Sequence, residues 1–499
     1  MTMFDHSRDV TAGSERRSFG DIVPHERFLS ADACQALITR ALGLATGGGS
    51  TTLQLDSSWT GNLRWARNQV STAGDVRDNV LQVWRNVRGA EGQSASNQID
   101  DMHMQTMLRR AERLVQLHHE YPESLFQHTF IEPYSRPAIW SDATYNLDAP
   151  ARATGMRALV KPAEAAGMSS AGYVQVSAHG ASTMDAERVW YYPYTLAQYS
   201  VTVRDSDGTG SGWAGVDYND WTKINAAELS AIALDKCQRS RNPVAIEPGR
   251  YTTILEPQAV CDFIKILFTP STLDREGAEY GDPQSLNESR YSRGDPQSVY
   301  NQSRGMSKLG QRLLDERLTV SSDPMDPELG FPPFLGWRVF HPVTWFKDGV
   351  LQELAYSRAY AVKKLSRDTG GLPATGSFRM SVRGPMVSVE QMIADTRRGL
   401  LVTRFAGISQ PLDLVSMTIT GYTRDGLWLI ENGKIAKPVK NFRFTDSPLF
   451  ALNNIEQIGV PKRVFRPDAP DRLPDGYAPV IVPALKVRDF NFTSLSDAV

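Results

Sequence analysis

Residues 250–268 read RYTTILEPQAVCDFIKILF. Arg250–Leu255 is a short run of β-branched and apolar residues, the pattern of a buried strand, and Pro257 ends it. Beyond the proline, Val260, Phe263, Ile264 and Leu267 recur at helical spacing, so a helix docking one apolar face on a core is expected. Asp262 and Lys265 fall off that face and are expected to pair weakly across one turn. Cys261 has no histidine near it in the sequence to activate it, so the expectation is an inert thiol rather than a nucleophile.

Downstream of this unit the pattern is rich in strands. Asp348-Gly349 and Asn432-Gly433 each separate two alternating runs, as the tight turn of a two-residue hairpin requires. A helix is expected in TDSPLFALNNIEQIG, with Ser447 as cap, Pro448 in its first turn and Gly459 as its stop. Trp337, Phe340, Trp345 and Phe346 make the segment before the first hairpin aromatic, which reads as core packing. Between the halves, Gly-Asp-Pro-Gln-Ser occurs at 281 and again at 294 in a polar context, and without an apolar face to stack it reads as an inserted loop.

Upstream, Ser30 precedes a helix with Cys34, Leu37, Ile38, Ala41 and Leu42 on one face. Short alternating segments follow, then a second amphipathic helix bearing Met104, Met107, Leu108, Ala111, Leu114 and Val115. Residues 127–224 read as strands and polar loops, before a helix capped by Asn225 and lined by Ala226, Leu229, Ala233 and Cys237. The fold class expected is α+β. Its parts are a polar leader over 1–26, an N-terminal α+β region over 27–243, a β-rich domain over 244–475 with a polar insertion near 274–305, and a tail over 476–499.

Composition excludes several roles. With 41% hydrophobic residues the chain can bury a core, and no apolar run approaches the roughly eighteen residues that cross a bilayer. Lys plus Arg number 54 against 56 for Asp plus Glu, which gives no general attraction for nucleic acid or an anionic membrane. Cys34, Cys237 and Cys261 are far apart and fit a reducing cytoplasm rather than a disulfide framework. Arg16-Arg17-Ser18-Phe19 hints at a twin-arginine export signal, but the segment after it has no apolar stretch.

Motifs for familiar chemistries fail on their contexts. Gly210, Gly212 and Gly215 match a dinucleotide-binding spacing, yet no helix follows at once to meet a pyrophosphate, so a glycine-rich turn is expected. His25-Glu26 and His119-Glu120 begin like a zinc helix, but the first has Leu29 and Ser30 where its second histidine belongs. The second is followed by Pro122, which breaks the helix. His118 lies on an apolar stripe, where a core histidine is expected, and His6, His103, His128, His179 and His341 are scattered.

One resemblance orders these pieces. SGWAGVDYNDWTKINAAELSAIALDKCQRSRNPVAIEPGRYTTILEPQAV, then KLGQRLLDERLTVSSDP, DGVLQELAYSRAYAVKKL, DTGG, VSVEQMIADTRRGLLVTRFAGIS and GLWLIENGKIAKPVKNF are similar, in order, to successive blocks of the TldD/PmbA family. The resemblance covers roughly residues 200–460. It implies an N-terminal α+β region and a β-rich C-terminal domain, assembled as a dimer around a chamber. TldD-type members carry HExxxH on the helix after the central strand, with a downstream cysteine ligand, and are zinc peptidases acting on unfolded or small peptides. PmbA-type members, also called TldE, lack those residues and serve as partner subunit.

Counted from Pro257, the HExxxH positions fall at Lys265, Ile266 and Pro270, and no cysteine follows Cys261. A zinc site needs neutral imidazoles or thiolates and a carboxylate base, so the resemblance implies neither catalytic nor metal-binding residues in this chain. The expected role is a metal-free, TldE-like subunit of a metallopeptidase complex working on unfolded or small peptides, in the cytoplasm. Zinc is expected only in a TldD-type partner, with pairing as a heterodimer or with itself. The alternatives are a homo-oligomeric peptide-binding or scaffold protein without peptidase work, and a hydrolase with an unconventional site.

Overall fold

The computed structural model describes residues 27–117, 139–184, 189–280, 298–303, 306–331, 334–335, 338–356, 364–365, 372–373, 377–409, 411–465 and 479–496. His25, Glu26, His118, His119 and nearly all of the repeated Gly-Asp-Pro-Gln-Ser segment lie outside them. The fold is α+β with a β-rich C-terminal part, as expected.

Helix α1 (Ala31–Gly43) starts where the Ser30 side chain accepts from the Ala33 amide. Strands β1 (Ser50–Ala66), β2 (Gln69–Val87) and β3 (Ala90–Ser96) follow, then α2 (Asp101–Val115). The short alternating segments thus belong to strands far longer than their apolar stretches. After α3 (Asp142–Tyr145) comes α4 (Ala149–Ala165), in a stretch whose sequence reads as strands and loops. Asp148 caps α4 and Pro150 sits in its first turn, where a missing amide costs nothing. Strands β4 (Ser169–Met184), β5 (Val189–Arg204) and β6 (Ser211–Tyr218) complete an antiparallel sheet in the order β3-β2-β1-β4-β5-β6. Helix α5 (Ala226–Arg239), capped by Asn225, packs against β6 and α4.

All four long helices cover one face of this sheet. Odd-numbered positions of β1 show it: Leu53 and Leu55 join α1 and α2 in one cluster, while Trp59, Leu63 and Trp65 join α4 and α5 in another. The even-numbered positions, Thr52 to Arg64, are polar and face the other way.

Among the described residues the C-terminal part holds two large sheets on a continuous core, with two small ones beside them. In the first, β7 (Gly249–Leu255) pairs in parallel with Arg398–Ala406 and antiparallel with Leu485–Leu495. Leu485–Leu495 pairs with Phe442–Asp446, that strand with Ile419–Glu431, and Ile419–Glu431 with Arg398–Ala406, so five strands close a ring. Residues 485–495, which fall in the stretch read as a tail, therefore supply a barrel strand. Both expected hairpins form, with Asp348, Gly349, Asn432 and Gly433 all at positive φ. The helix after Ser447 is shorter than expected. It ends at Asn453, and Ile455–Ile458 pairs as a strand with Leu485–Leu495. Trp345 and Phe346 are fully buried, in line with core packing, and Trp337 lies outside the described residues.

Candidate functional site

Helix α6 (Pro257–Ile264) leaves β7 at Glu256, and residues Ala259 to Ile264 are all buried. Phe263 reaches the barrel aromatics, with ring centroids 5.9, 5.7 and 5.2 Å from Phe405, Phe444 and Phe490. This helix is a structural plug. Asp262 departs from the expectation of a weak, outward pair. Its carboxylate is buried, accepts from the Phe405 amide at 3.1 Å and from Gln258 Nε2 at 3.0 Å, and faces the charges of Arg404 and Lys265. Burial is the largest influence on it and pushes its pKa up.

After Ile264 the coil tightens to a 3-10 segment, Lys265–Phe268, and Thr269 caps a separate helix, α7 (Pro270–Leu273). Lys265 and Ile266 are half-buried, Ile266 against the C-terminal core, and Pro270 opens α7. The three positions lie on two elements and offer a cation, an alkyl chain and an imide. They do not fit zinc, which needs imidazole, thiolate or carboxylate donors. Among the described residues no three His, Cys, Asp or Glu side chains gather closely enough to hold a metal ion.

The free cysteines are buried; burial raises the thiol pKa of Cys34 and of Cys237 to about 11. His179 stacks on Tyr194 with ring centroids 4.5 Å apart, and its Nε2 lies 2.9 Å from Ser177 Oγ.

What does gather polar chemistry is the helix-free face of the N-terminal sheet. The strand register sets Asn62, Gln175, Gln198 and Asp217 side by side across β1, β4, β5 and β6. On one side of this row stand Arg64, Tyr173 and Ser200; on the other, Thr60, Ser177 and Leu196. The C-terminal part touches both flanks. Phe465 lies 6.0 Å from Tyr173 and 5.9 Å from Trp213, ring to ring, while Phe331 packs on Leu196. Arg463 holds Asp217 at 2.9 Å and also donates to the Glu328 carbonyl. The polar face is thus flanked on both sides by aromatic side chains of the C-terminal part.

A second seam joins the two parts beside β6. Ser211 Oγ donates to Asp425 at 2.6 Å, Arg404 reaches the same carboxylate at 3.5 Å, and its guanidinium lies 4.3 Å from the Trp213 ring. A cavity of about 510 Å³ opens here, lined by Thr209, Ser211, Asn242, Asp425, Lys440 and Asn441 among others. The glycine motif serves this packing. A Cβ on Gly212 would lie 2.1 Å from the Ala233 carbonyl oxygen, and one on Gly210 2.6 Å from that of Cys237. The glycines bring β6 against the backbone of α5, and the space a phosphate would need is occupied by helix.

Sequence reasoning gathers neither Asn62, Gln175 and Gln198 nor Arg463 and Asp217. The alternation of Val174, Val176 and Ala178 with Gln175, Ser177 and His179 is the available signal, since period two marks one polar face.

Residues 248–494 match the family described as the PmbA/TldA metallopeptidase C-terminal domain. A metalloprotease of Archaeoglobus fulgidus is 30% identical over 162 residues, which is 30% of this chain and 36% of the relative, so the match spans about a third of that protein. Among solved structures, one described as a proposed modulator of DNA gyrase from Thermotoga maritima aligns with a TM-score of 0.70 at 14% identity, over 92% of this chain and 100% of its own. TldE from Thermococcus kodakarensis aligns with a TM-score of 0.69 at 14% identity, over 92% of this chain and 99% of its own. At these identities the structural likeness establishes the fold.

Proposed function

Because the chain belongs to the TldD/PmbA family, we propose that it is a TldE-like subunit whose peptide-bond chemistry depends on zinc carried by a TldD-type partner. One reading of the sequence supports it: counted from Pro257, Lys265, Ile266 and Pro270 fall where the resemblance would put the histidines and glutamate of a zinc helix. Lys265 places a cation where a metal ion belongs, and Ile266 has no atom to take a proton from water. The family's zinc therefore finds no seat on this helix, and no hydrolytic step is assigned to this chain's residues. Its contribution is the polar face of the N-terminal sheet, which holds an unfolded or small peptide within reach of the partner's metal. The subunit works in the cytoplasm, in keeping with its three free cysteines.

Co-expression with an HExxxH-bearing homologue from the same genome tests this. A mixed complex on sizing, with peptide cleavage that a chelator abolishes and that neither subunit shows alone, is the expected result. A self-pairing chain that ignores the homologue, binds peptides and cleaves none would favour a homo-oligomeric binding or scaffold protein. Chelator-resistant cleavage by this chain alone would identify a hydrolase with an unconventional site.

A further inference from the structure

We infer that Asn62, Gln175 and Gln198 form a main-chain reader, a row of side-chain amides that hydrogen-bonds the backbone of an extended peptide lying across strands β1, β4 and β5. The inference rests on the peptide-handling role proposed above and names the groups that perform it.

The register places the three amides directly opposite one another on adjacent strands. They are drawn out of bulk water: Gln198 is 5% exposed, and Asn62 and Gln175 are half-buried. Their hydrogen bonding is nevertheless incomplete. Asn62 Oδ1 is buried with no hydrogen-bond partner among the described residues, and Gln175 Nε2 reaches Gln198 Oε1 only at 3.4 Å. Of the amide atoms in the row, Asn62 Oδ1 is the one that is buried and unpartnered among the described residues, and a donor from a bound chain would relieve the cost of that desolvated acceptor.

Three properties select the ligand. Each amide carries both a donor and an acceptor, which matches the alternating N–H and C=O groups of an extended chain better than it matches a purely anionic or cationic group. The end of the row is electrically closed, because the Asp217 carboxylate is held by Arg463. The flanks are aromatic: Phe465 stands over Tyr173 on one side and Phe331 over Leu196 on the other. Rows two residues apart on a strand are separated by about 7 Å, so the flanking rows lie about 14 Å apart, wide enough to admit one extended chain between two walls. From β1 to β6 the row spans three strand spacings, again about 14 Å, the length of about four extended residues. Recognition through the backbone makes the site tolerant of side-chain sequence.

The test uses the full chain and a fluorescein-labelled, unstructured twelve-residue Gly/Ala/Ser peptide, with binding followed by anisotropy. A second probe is the same peptide N-methylated at alternate backbone amides, which removes donors and leaves composition otherwise alike. Wild type is expected to bind the first probe and to lose about tenfold or more in affinity for the second. Gln175→Leu/Gln198→Leu and Asn62→Ala are expected to lose a similar factor for the first probe while keeping the wild-type far-ultraviolet circular dichroism spectrum. No binding of either probe by wild type, equal binding of the two probes, or unchanged affinity in folded variants would each overturn the inference. If the leucine variant fails to fold, the comparison of probes on wild type still decides. Partner dependence plays no part in this measurement, so its failure is distinct from failure of the two-subunit reading.

Discussion

Arg463 and Asp217, which stand 246 positions apart, form a nearly buried ion pair at 2.9 Å, with the arginine 6% and the aspartate 2% exposed. The pair fastens the C-terminal part to the polar face of the N-terminal sheet, beside the amide row. Guanidinium Nε also donates to the Asp217 carbonyl at 2.7 Å, so the arginine fixes strand edge as well as side chain. Asp217→Ala leaves Arg463 buried beside an empty space. The expected loss is about 3–5 kcal/mol, read as a lower denaturant midpoint, and Asp217→Asn is expected to lose less because it keeps an acceptor.

Burial of Asp262 makes stability depend on pH. Burial raises its folded pKa above the usual carboxyl range, so the native state binds its proton more tightly than the unfolded state. Stability from this group is accordingly greatest below the unfolded value and falls as pH rises through the elevated folded one. Asp262→Asn keeps an acceptor for the Phe405 amide and removes the titration. The stability difference, variant minus wild type, is expected to rise as the pH is raised above about 4, as measured by chemical denaturation at a series of pH values. A flat difference would contradict the assignment.

Close approach of α5 to β6 makes Gly212 intolerant of a side chain. With 2.1 Å to the Ala233 carbonyl oxygen and 2.5 Å to the Cys237 amide, a methyl group must push the helix off the sheet. Gly212→Ala is expected to destabilise by about 2 kcal/mol or more, within the range for overpacking. Gly74→Ala is the matched control. It lies in β2 with nothing within 4 Å of an added Cβ, and its melting temperature is expected to stay at or slightly above that of wild type.

All three thiols are expected to resist a neutral alkylating reagent at pH 7.5 while the protein is folded, and to react fully in denaturant. Cys34 and Cys237 combine full burial with pKa values pushed up to about 11, so the thiolate is scarce as well as hidden. Mass spectrometry after timed quenching reads the outcome. Rapid labelling of Cys261 in the native state would contradict its place within α6.

Local chemistry made part of this architecture legible. Asp348-Gly349 and Asn432-Gly433 announce hairpins because few residues accept positive φ at both turn positions. Ser30 and Asn225 announce helices because their side chains satisfy amides that a helix start leaves open. Helix α4 escaped because Pro150, Gly155 and Pro162 suggest breaks, whereas the first proline sits in the opening turn and packing carries the others. The strand at Leu485–Leu495 reads as a tail because its barrel partners, β7 and Phe442–Asp446, lie far away in the chain. Lys265, Ile266 and Pro270 come from counting residues after Pro257, a step that needs sequence alone. The amide row was not. Its residues meet only through the register of four strands, and one shift of a single residue would send each amide to the helix-covered face.

The most direct test of the central claim is the zinc content of the isolated, untagged chain after equilibration with zinc and removal of free metal, measured by mass spectrometry per mole of protein. The chain is expected to retain well below one equivalent, with Lys265→Ala and Ile266→Ala leaving the value unchanged. One tightly held zinc per chain, traced by spectroscopy to nitrogen, sulfur or carboxylate ligands of its own, would contradict the account.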